Sequence, residues 1–206
     1  MGDERAIRGR IGSGAIMLSG CPLTCNSCQN YEMVQEGHRV TFEQFIEMAL
    51  TLKARGAHNL QVLSPTVHFP SLRQLLPIIR KEAPNFPIIF KSSGYESVEA
   101  LKRFEGLVDI YLPDLKFGSQ SRWARCAGAG DYLQVAKLAI DEMFSQVGPL
   151  EVDREGIASK GLLIRHVKAP LPAAEQEELE GYLSEMGRRT QISILEHFVQ
   201  LEQPPT

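Results

Sequence analysis

The sequence has no long apolar run. The longest near its start, Ala15 to Leu18, is far short of the roughly 20 residues that a membrane span needs, and too short for a signal-sequence core. A cytoplasmic protein is expected. Positive charge is not in excess either: 22 Lys and Arg stand against 25 Asp and Glu, a net charge of −3, with the cations scattered. No basic stripe is there to neutralise a phosphate backbone, so nucleic acid is not an expected partner. Nor is there a low-complexity linker or a break in composition. With 43% hydrophobic residues over 206 positions, the chain is expected to fill one core as a single domain, 1–206, with a short N-terminal extension (1–13) and C-terminal tail (199–206).

Cysteine is scarce, and its distribution is what is informative. Of four cysteines, three lie together in Ser19-Gly20-Cys21-Pro22-Leu23-Thr24-Cys25-Asn26-Ser27-Cys28. Three thiolates in one loop can hold three irons of a [4Fe–4S] cubane and leave the fourth iron open to a cofactor. Structural zinc would need a fourth ligand, for which His38 is the nearest candidate, set apart by an acidic, glycine-containing stretch. A disulfide cannot use three close cysteines at once, and Cys126 is isolated in Arg125-Cys126-Ala127-Gly128, where it reads as a small loop residue.

Periodicity alternates short β-rich runs with longer helical ones. Strands are predicted at Ala15–Ser19, His58–Leu63, Phe86–Phe90, Val108–Leu112, Gly161–Val167 and Gln191–Leu195. Thr41-Phe42-Glu43-Gln44 has the form of a capping box, opening a helix that Gly56 ends. Further helices are expected from about Ser71, with Pro77 inside it, over Val98–Phe104, over Tyr132–Gln146 with Asp131 as cap, and over Pro172–Arg188. Six β/α steps with right-handed crossovers give an α/β fold, a partial (β/α)6 TIM-type barrel; a doubly wound open sheet is the alternative. The barrel is favoured because Cys21, Ser64, Ser92, Asp114, His166 and His197 each fall at or just past the carboxyl end of a strand, where the chemistry of such barrels gathers.

Cys21-x3-Cys25-x2-Cys28 directly after a first strand resembles the signature of the radical S-adenosylmethionine (SAM) superfamily. Leu18-Ser19-Gly20-Cys21, Cys28-Gln29-Asn30-Tyr31, Gly56-Ala57-His58-Asn59, Ser64-Pro65-Thr66, Ser93-Gly94-Tyr95-Glu96 and Asp109 to Lys116 are similar to the branch described as pyruvate formate-lyase activating enzyme-like. The resemblance implies a [4Fe–4S] cluster on Cys21, Cys25 and Cys28 and SAM on its open iron. It further implies a 5′-deoxyadenosyl radical that takes hydrogen from a substrate, which in the activating enzymes is a glycine of a partner glycyl-radical enzyme. Reduced flavodoxin or ferredoxin is the implied electron donor. A small-molecule substrate within the same chemistry, or a non-catalytic protein stabilised by zinc or a cluster, are the other readings.

The strand-end groups expected around SAM are Ser64 and Thr66, Ser92 and Ser93, Asp114 and Lys116, and His166. Backbone carbonyls near Ser64 and the Thr66 hydroxyl would meet an ammonium, and Ser92 and Ser93 a carboxylate or ribose. Asp114 and Lys116, two apart on an extended segment, would point to the same side. Arg165 and His166 point to opposite faces, with His166 taken as the contact and Arg165 as an ion pair. His68 faces the site or its rim, and His197 is the weakest candidate. Two departures from the family stand out: Ser64-Pro65-Thr66 sits where Gly-Gly-Glu is common, and Ser27 where an aromatic residue often precedes the third cysteine.

Overall fold

The computed structural model describes residues 4–25, 28–118, 124–125, 127–168 and 171–195. His197, Cys126 and Ser27 therefore lie outside the described residues.

Six strands run parallel, in the order β1 (Gly14–Met17), β2 (Leu60–Leu63), β3 (Ile88–Ser92), β4 (Ile110–Leu115), β6 (Ala158–Val167) and β7 (Gln191–Leu195). Each pairs with the one before, as expected for a part-barrel. Among the described residues β1 and β7 do not pair, so the sheet stays open. The helices are α1 (Arg5–Arg8), α2 (Tyr31–Gln35), α3 (Phe42–Ala54), α4 (Phe69–Glu82), α5 (Val98–Lys102), α6 (Tyr132–Val147) and α7 (Ala173–Gly187). None is long and apolar enough to cross a membrane.

Local chemistry explains most of these boundaries. Thr41 and Gln44 form the expected capping box, each side chain accepting from the other's backbone N–H. The helix expected from Ser71 opens earlier, at Phe69, with Pro70 in its first turn where no N–H is needed. Asp131 stands at the start of α6 but does not cap it; its carboxylate accepts from the Tyr95 hydroxyl at 2.7 Å. A short antiparallel strand, β5 (Glu151–Val152), was not predicted. It reaches β6 through a turn held by Asp153, whose Oδ1 accepts from Glu155 and Ile157 N–H at 2.8 and 2.9 Å.

β4 departs from expectation in a way that matters for the site. Val108–Leu112 was the predicted strand, ending before Pro113, yet β4 runs through Pro113 to Leu115. The β4–β6 pairing holds at Ile110 and Tyr111, and resumes only at Asp114↔Arg165 and Leu115↔His166. Proline brings no N–H to a ladder. The extension places Asp114 on the strand itself.

Two apolar clusters define the faces of the sheet. On one, Ile16, Leu60, Val62, Ile88, Phe90, Tyr111, Leu162 and Ile164 pack against the helices. On the other, Ile89, Ile110, Leu112 and Leu163 pack with Ala158 and with Ile7 of α1, which is 3% exposed. Asn59, fully buried, donates to the Ile7 carbonyl at 2.7 Å and fastens this N-terminal helix over the inner face. By alternation Lys91, Asp114 and Arg165 follow the inner residues of β3, β4 and β6.

Candidate functional site

The cysteine loop leaves β1 and is tied down from several sides. Leu18 N–H donates to the Leu63 carbonyl at 3.1 Å, Gly20 to Val34 at 2.7 Å, and Thr24 to Ala127 at 3.1 Å. Gly20, with φ +87°, needs its missing Cβ, which would fall 2.9 Å from Val67. His68 Nε2 donates to the Ser19 carbonyl at 2.6 Å, an acceptor that fixes the proton on Nε2. His68 thus holds the entry to the loop two residues before Cys21.

Cys21, Cys25 and Cys28 are free and half-buried, and Cys21 and Cys25 pack against the apolar core. Burial raises the Cys21 thiol above its ordinary value and pushes Cys25 up to about 11, while Lys116 draws both back. The Cys21 and Cys28 charges act on Cys25, so the three thiols share one electrostatic neighbourhood with an ammonium beside it. Among the described residues no three Cys, His, Asp or Glu side chains converge on a single ion as they stand. A cubane asks something different: three thiolates, each on its own iron, next to positive charge. The donor set and Lys116 fit that group. His38, the candidate fourth zinc ligand, is exposed.

Beside the loop lies a chain of charges on the inner face. Asp114 Oδ2 accepts from Lys116 Nζ at 2.9 Å, and Asp114 Oδ1 lies 3.6 Å from Arg165 Nε. Burial works to raise the Asp114 carboxyl, but Lys116, Arg165 and Lys91 together hold it below its ordinary value. Burial likewise opposes the charge on Lys116, and Asp114 and Cys25 more than compensate. Lys91 is pulled down by burial, with Asp114 opposing. Arg165, 5% exposed, has Nη1 buried without a hydrogen-bond partner, as are Ser93 Oγ and Asp114 Oδ1. A buried guanidinium N–H with no acceptor is a position that an anion satisfies.

At the rim between β2 and β3 stands a buried acid outside the expected set of site residues. Glu96, 2% exposed, accepts from Thr66 Oγ1 at 2.8 Å on one carboxylate oxygen and from Ser92 Oγ at 3.1 Å on the other. Burial pushes its carboxyl up to about 7, against the pull of both hydroxyls. A signal was present: Glu96 is the only acidic residue between Glu82 and Glu99. Tyr132, at the start of α6, is also new. Its hydroxyl joins the Ser93 and Asp114 carbonyls at 2.8 and 2.7 Å and accepts from Lys116 N–H at 3.0 Å, binding the ends of β3 and β4 together. The two strands meet closely there, since a Cβ on Gly94 would fall 2.8 Å from the Asp114 carbonyl.

The remaining expected residues fall as follows. Ser64 directly follows β2 with φ +54°, the one non-glycine positive φ among the described residues, and its N–H donates to the Lys91 carbonyl. Backbone strain of that kind collects at functional sites. His166 turns away: it shares the helix-facing side with Leu162 and Ile164, and its Nδ1 donates to the Leu115 carbonyl at 2.8 Å. Burial lowers its pKa. Arg165, not His166, faces inward, as the Leu163 parity dictates. Asp109 is at the entry to β4, paired with Arg80 at 2.7 Å and accepting from Ile88 N–H.

No family model matches the chain. An uncharacterized protein of Methanocaldococcus jannaschii is 29% identical over 151 residues, covering 66% of this chain and 42% of that protein. Among solved structures, SuiB of Streptococcus suis superposes over 92% of the chain and 42% of its own length, with a TM-score of 0.57 and 13% identity. SuiB bound to S-adenosylmethionine gives 0.56 at 14% identity over 93% of this chain and 40% of that one. The chain thus spans about two fifths of each of these proteins, and at such identities the SuiB likeness carries the fold. This protein has the α/β fold of SuiB.

Proposed function

We propose that this protein is a cytoplasmic radical SAM enzyme of the activating-enzyme-like branch. The observation that carries the reading is the Cys21–Cys25–Cys28 loop, leaving the carboxyl end of β1 beside Lys116, Asp114 and Arg165. The fold shared with SuiB, one structure of which holds S-adenosylmethionine, supports it. Cys21, Cys25 and Cys28 would hold a [4Fe–4S] cluster, which when bound supplies the electron that cleaves SAM to a 5′-deoxyadenosyl radical.

This chain's own residues do the positioning. Arg165 and Lys116 offer donors to the carboxylate of the cofactor's methionine part, with Asp114 keeping both cations in place. Ser64, Thr66, Ser92 and Ser93, at and just past the ends of β2 and β3, would add hydroxyl oxygens to the cofactor's surroundings. Tyr132 fixes the spacing of β3 and β4, so these groups are held before the ligand arrives. The hydrogen donor we assign is a glycine of a partner glycyl-radical enzyme, with reduced flavodoxin or ferredoxin delivering the electron.

Anaerobic reconstitution with iron and sulfide tests this. The expected result is a brown protein that forms 5′-deoxyadenosine from SAM under reduction, and a glycyl radical signal by electron paramagnetic resonance when the partner enzyme is present. Cys25→Ala should lose colour and cleavage together, while Cys126→Ala keeps both. A colourless protein that binds one zinc and never yields 5′-deoxyadenosine refutes the reading.

A further inference from the structure

Five charges meet on the inner face of the sheet. Lys91 stands on β3, Asp114 on β4, Lys116 just past it and Arg165 on β6, while Glu4 arrives from the residue before α1. Asp114, Arg165, Glu4 and Lys116 all act on the Lys91 ammonium, so the five form one electrostatic group. Three cations thus face two carboxylates, an excess of one positive charge. Hydrogen bonding shows the same shortage of acceptors: Arg165 Nη1 is buried with none. Glu4 is what sets the count. Its carboxylate lies 2.9 Å from Arg165 Nε, yet this is a charge pair without an aligned hydrogen bond, since Nε too has no hydrogen-bond partner. Ser193 Oγ donates to the same carboxylate at 3.4 Å, and Ile7 and Asn59 anchor the helix behind it. Glu4 is therefore brought to Arg165 by packing elsewhere. The side chains of Lys116 and Asp114, 27% and 18% exposed, mark the side from which the group is reached.

We propose that Glu4 is a specificity-determining residue: by holding the Arg165 pocket to one excess positive charge, it makes the pocket a site for a carboxylate monoanion and disfavours dianions such as sulfate or phosphate. A bound monoanion neutralises the group, whereas a dianion leaves a buried negative charge that nothing compensates. Without Glu4 the excess is two, and the balance passes to the dianion. The pocket stands on the charges of this structure alone. That its carboxylate is the one on the cofactor's methionine part rests on the radical SAM reading; a carboxylate of the substrate is the same chemistry from another source.

Two measurements on the full chain test the proposal. The first uses metal-free protein labelled with 15N-arginine, in which the side-chain signal missing from Arg165→Lys reports on the pocket. At constant ionic strength, acetate should move that signal at concentrations about tenfold below those that sulfate needs. Glu4→Gln keeps an oxygen in place but not the charge, and should raise the sulfate-to-acetate affinity ratio about tenfold. Adding Lys91→Gln to Glu4→Gln returns the excess to one and should restore the preference for acetate. Lys91→Gln alone takes the excess to zero and should weaken acetate about tenfold, a result that decides the matter even where Glu4→Gln fails to fold. A purely structural Glu4 would lower the Tm of Glu4→Gln and leave the ratio unchanged, which overturns the proposal. So does acetate binding indifferent to Lys91→Gln, or a wild type whose Arg165 signal ignores both anions. The second measurement uses the reconstituted protein and labelled acetate. SAM should displace it, and 5′-methylthioadenosine, which lacks the amino-acid part, should not. Acetate bound alongside SAM would keep the pocket and assign its carboxylate to the substrate. Wild-type protein that binds no SAM would refute the radical SAM reading, while the anion ratio in the metal-free chain still decides the role of Glu4.

Discussion

The Glu4 carboxylate lies 2.9 Å from Arg165 Nε, and both side chains are almost wholly buried, at 10% and 6% exposure. The residue just before the first helix thus delivers an anion to the inner face of the sheet, next to Asp114, and Ser193 of β7 reaches the same oxygen at 3.4 Å.

Removing one member of such a buried pair leaves the other uncompensated, so Glu4→Ala is expected to cost about 3 kcal/mol in urea unfolding. Glu4→Ala with Arg165→Leu should recover much of that loss, since the orphaned guanidinium goes with it. A double variant less stable than the sum of the single ones would contradict the pairing.

Glu96 makes stability depend on pH with a definite sign. Its carboxyl ionises near 4.5 when unfolded and near 7 when folded. Between those values unfolding releases a proton, so this group lowers stability as pH rises from about 4.5 to about 7 and then holds it constant. Glu96→Gln lacks that loss. It should exceed the wild type by up to about 3 kcal/mol at pH 8, with the gap closing toward pH 4, in denaturation of the metal-free chain.

Tyr132→Phe deletes a hydroxyl that two carbonyls and one N–H share. The ring remains packed between Tyr95 and Phe117, so the loss is confined to hydrogen bonds. About 2 kcal/mol is expected from thermal unfolding, together with weaker SAM binding through the misplaced ends of β3 and β4.

His68→Ala frees the Ser19 carbonyl and with it the entry to the cysteine loop. Global stability should change by about 1 kcal/mol, yet iron bound after reconstitution should fall several-fold. Unchanged iron content would show that the loop is held by other contacts.

The parallel strands, the capping box and the cysteine loop were legible because each rests on local pattern: alternation, a four-residue box, a spacing. Asp114 and Lys116 were legible for the same reason, through their separation by one residue. Glu96 and Tyr132 were not, since their meaning lies in partners far along the chain, Thr66 for one and Ser93 and Asp114 for the other. The choice between Arg165 and His166 hung on strand parity. Leu162, Leu163 and Ile164 are all apolar, so no alternation marked which side was inward; the Ile7 contact of α1 that defines it comes from outside the strand. Pro113 misled the end of β4 because a proline normally marks the limit of a central strand.

That proline has a mechanical consequence. Where the backbone ladder between β4 and β6 is interrupted, opposite Leu112 and Pro113, the two strands are next joined at Asp114↔Arg165, whose side chains also carry opposite charge. Electrostatics therefore stitches the seam that the missing N–H leaves slack. A ligand anion that draws the guanidinium away from Asp114 would loosen that stitch, so anion binding is expected to weaken the seam between β4 and β6.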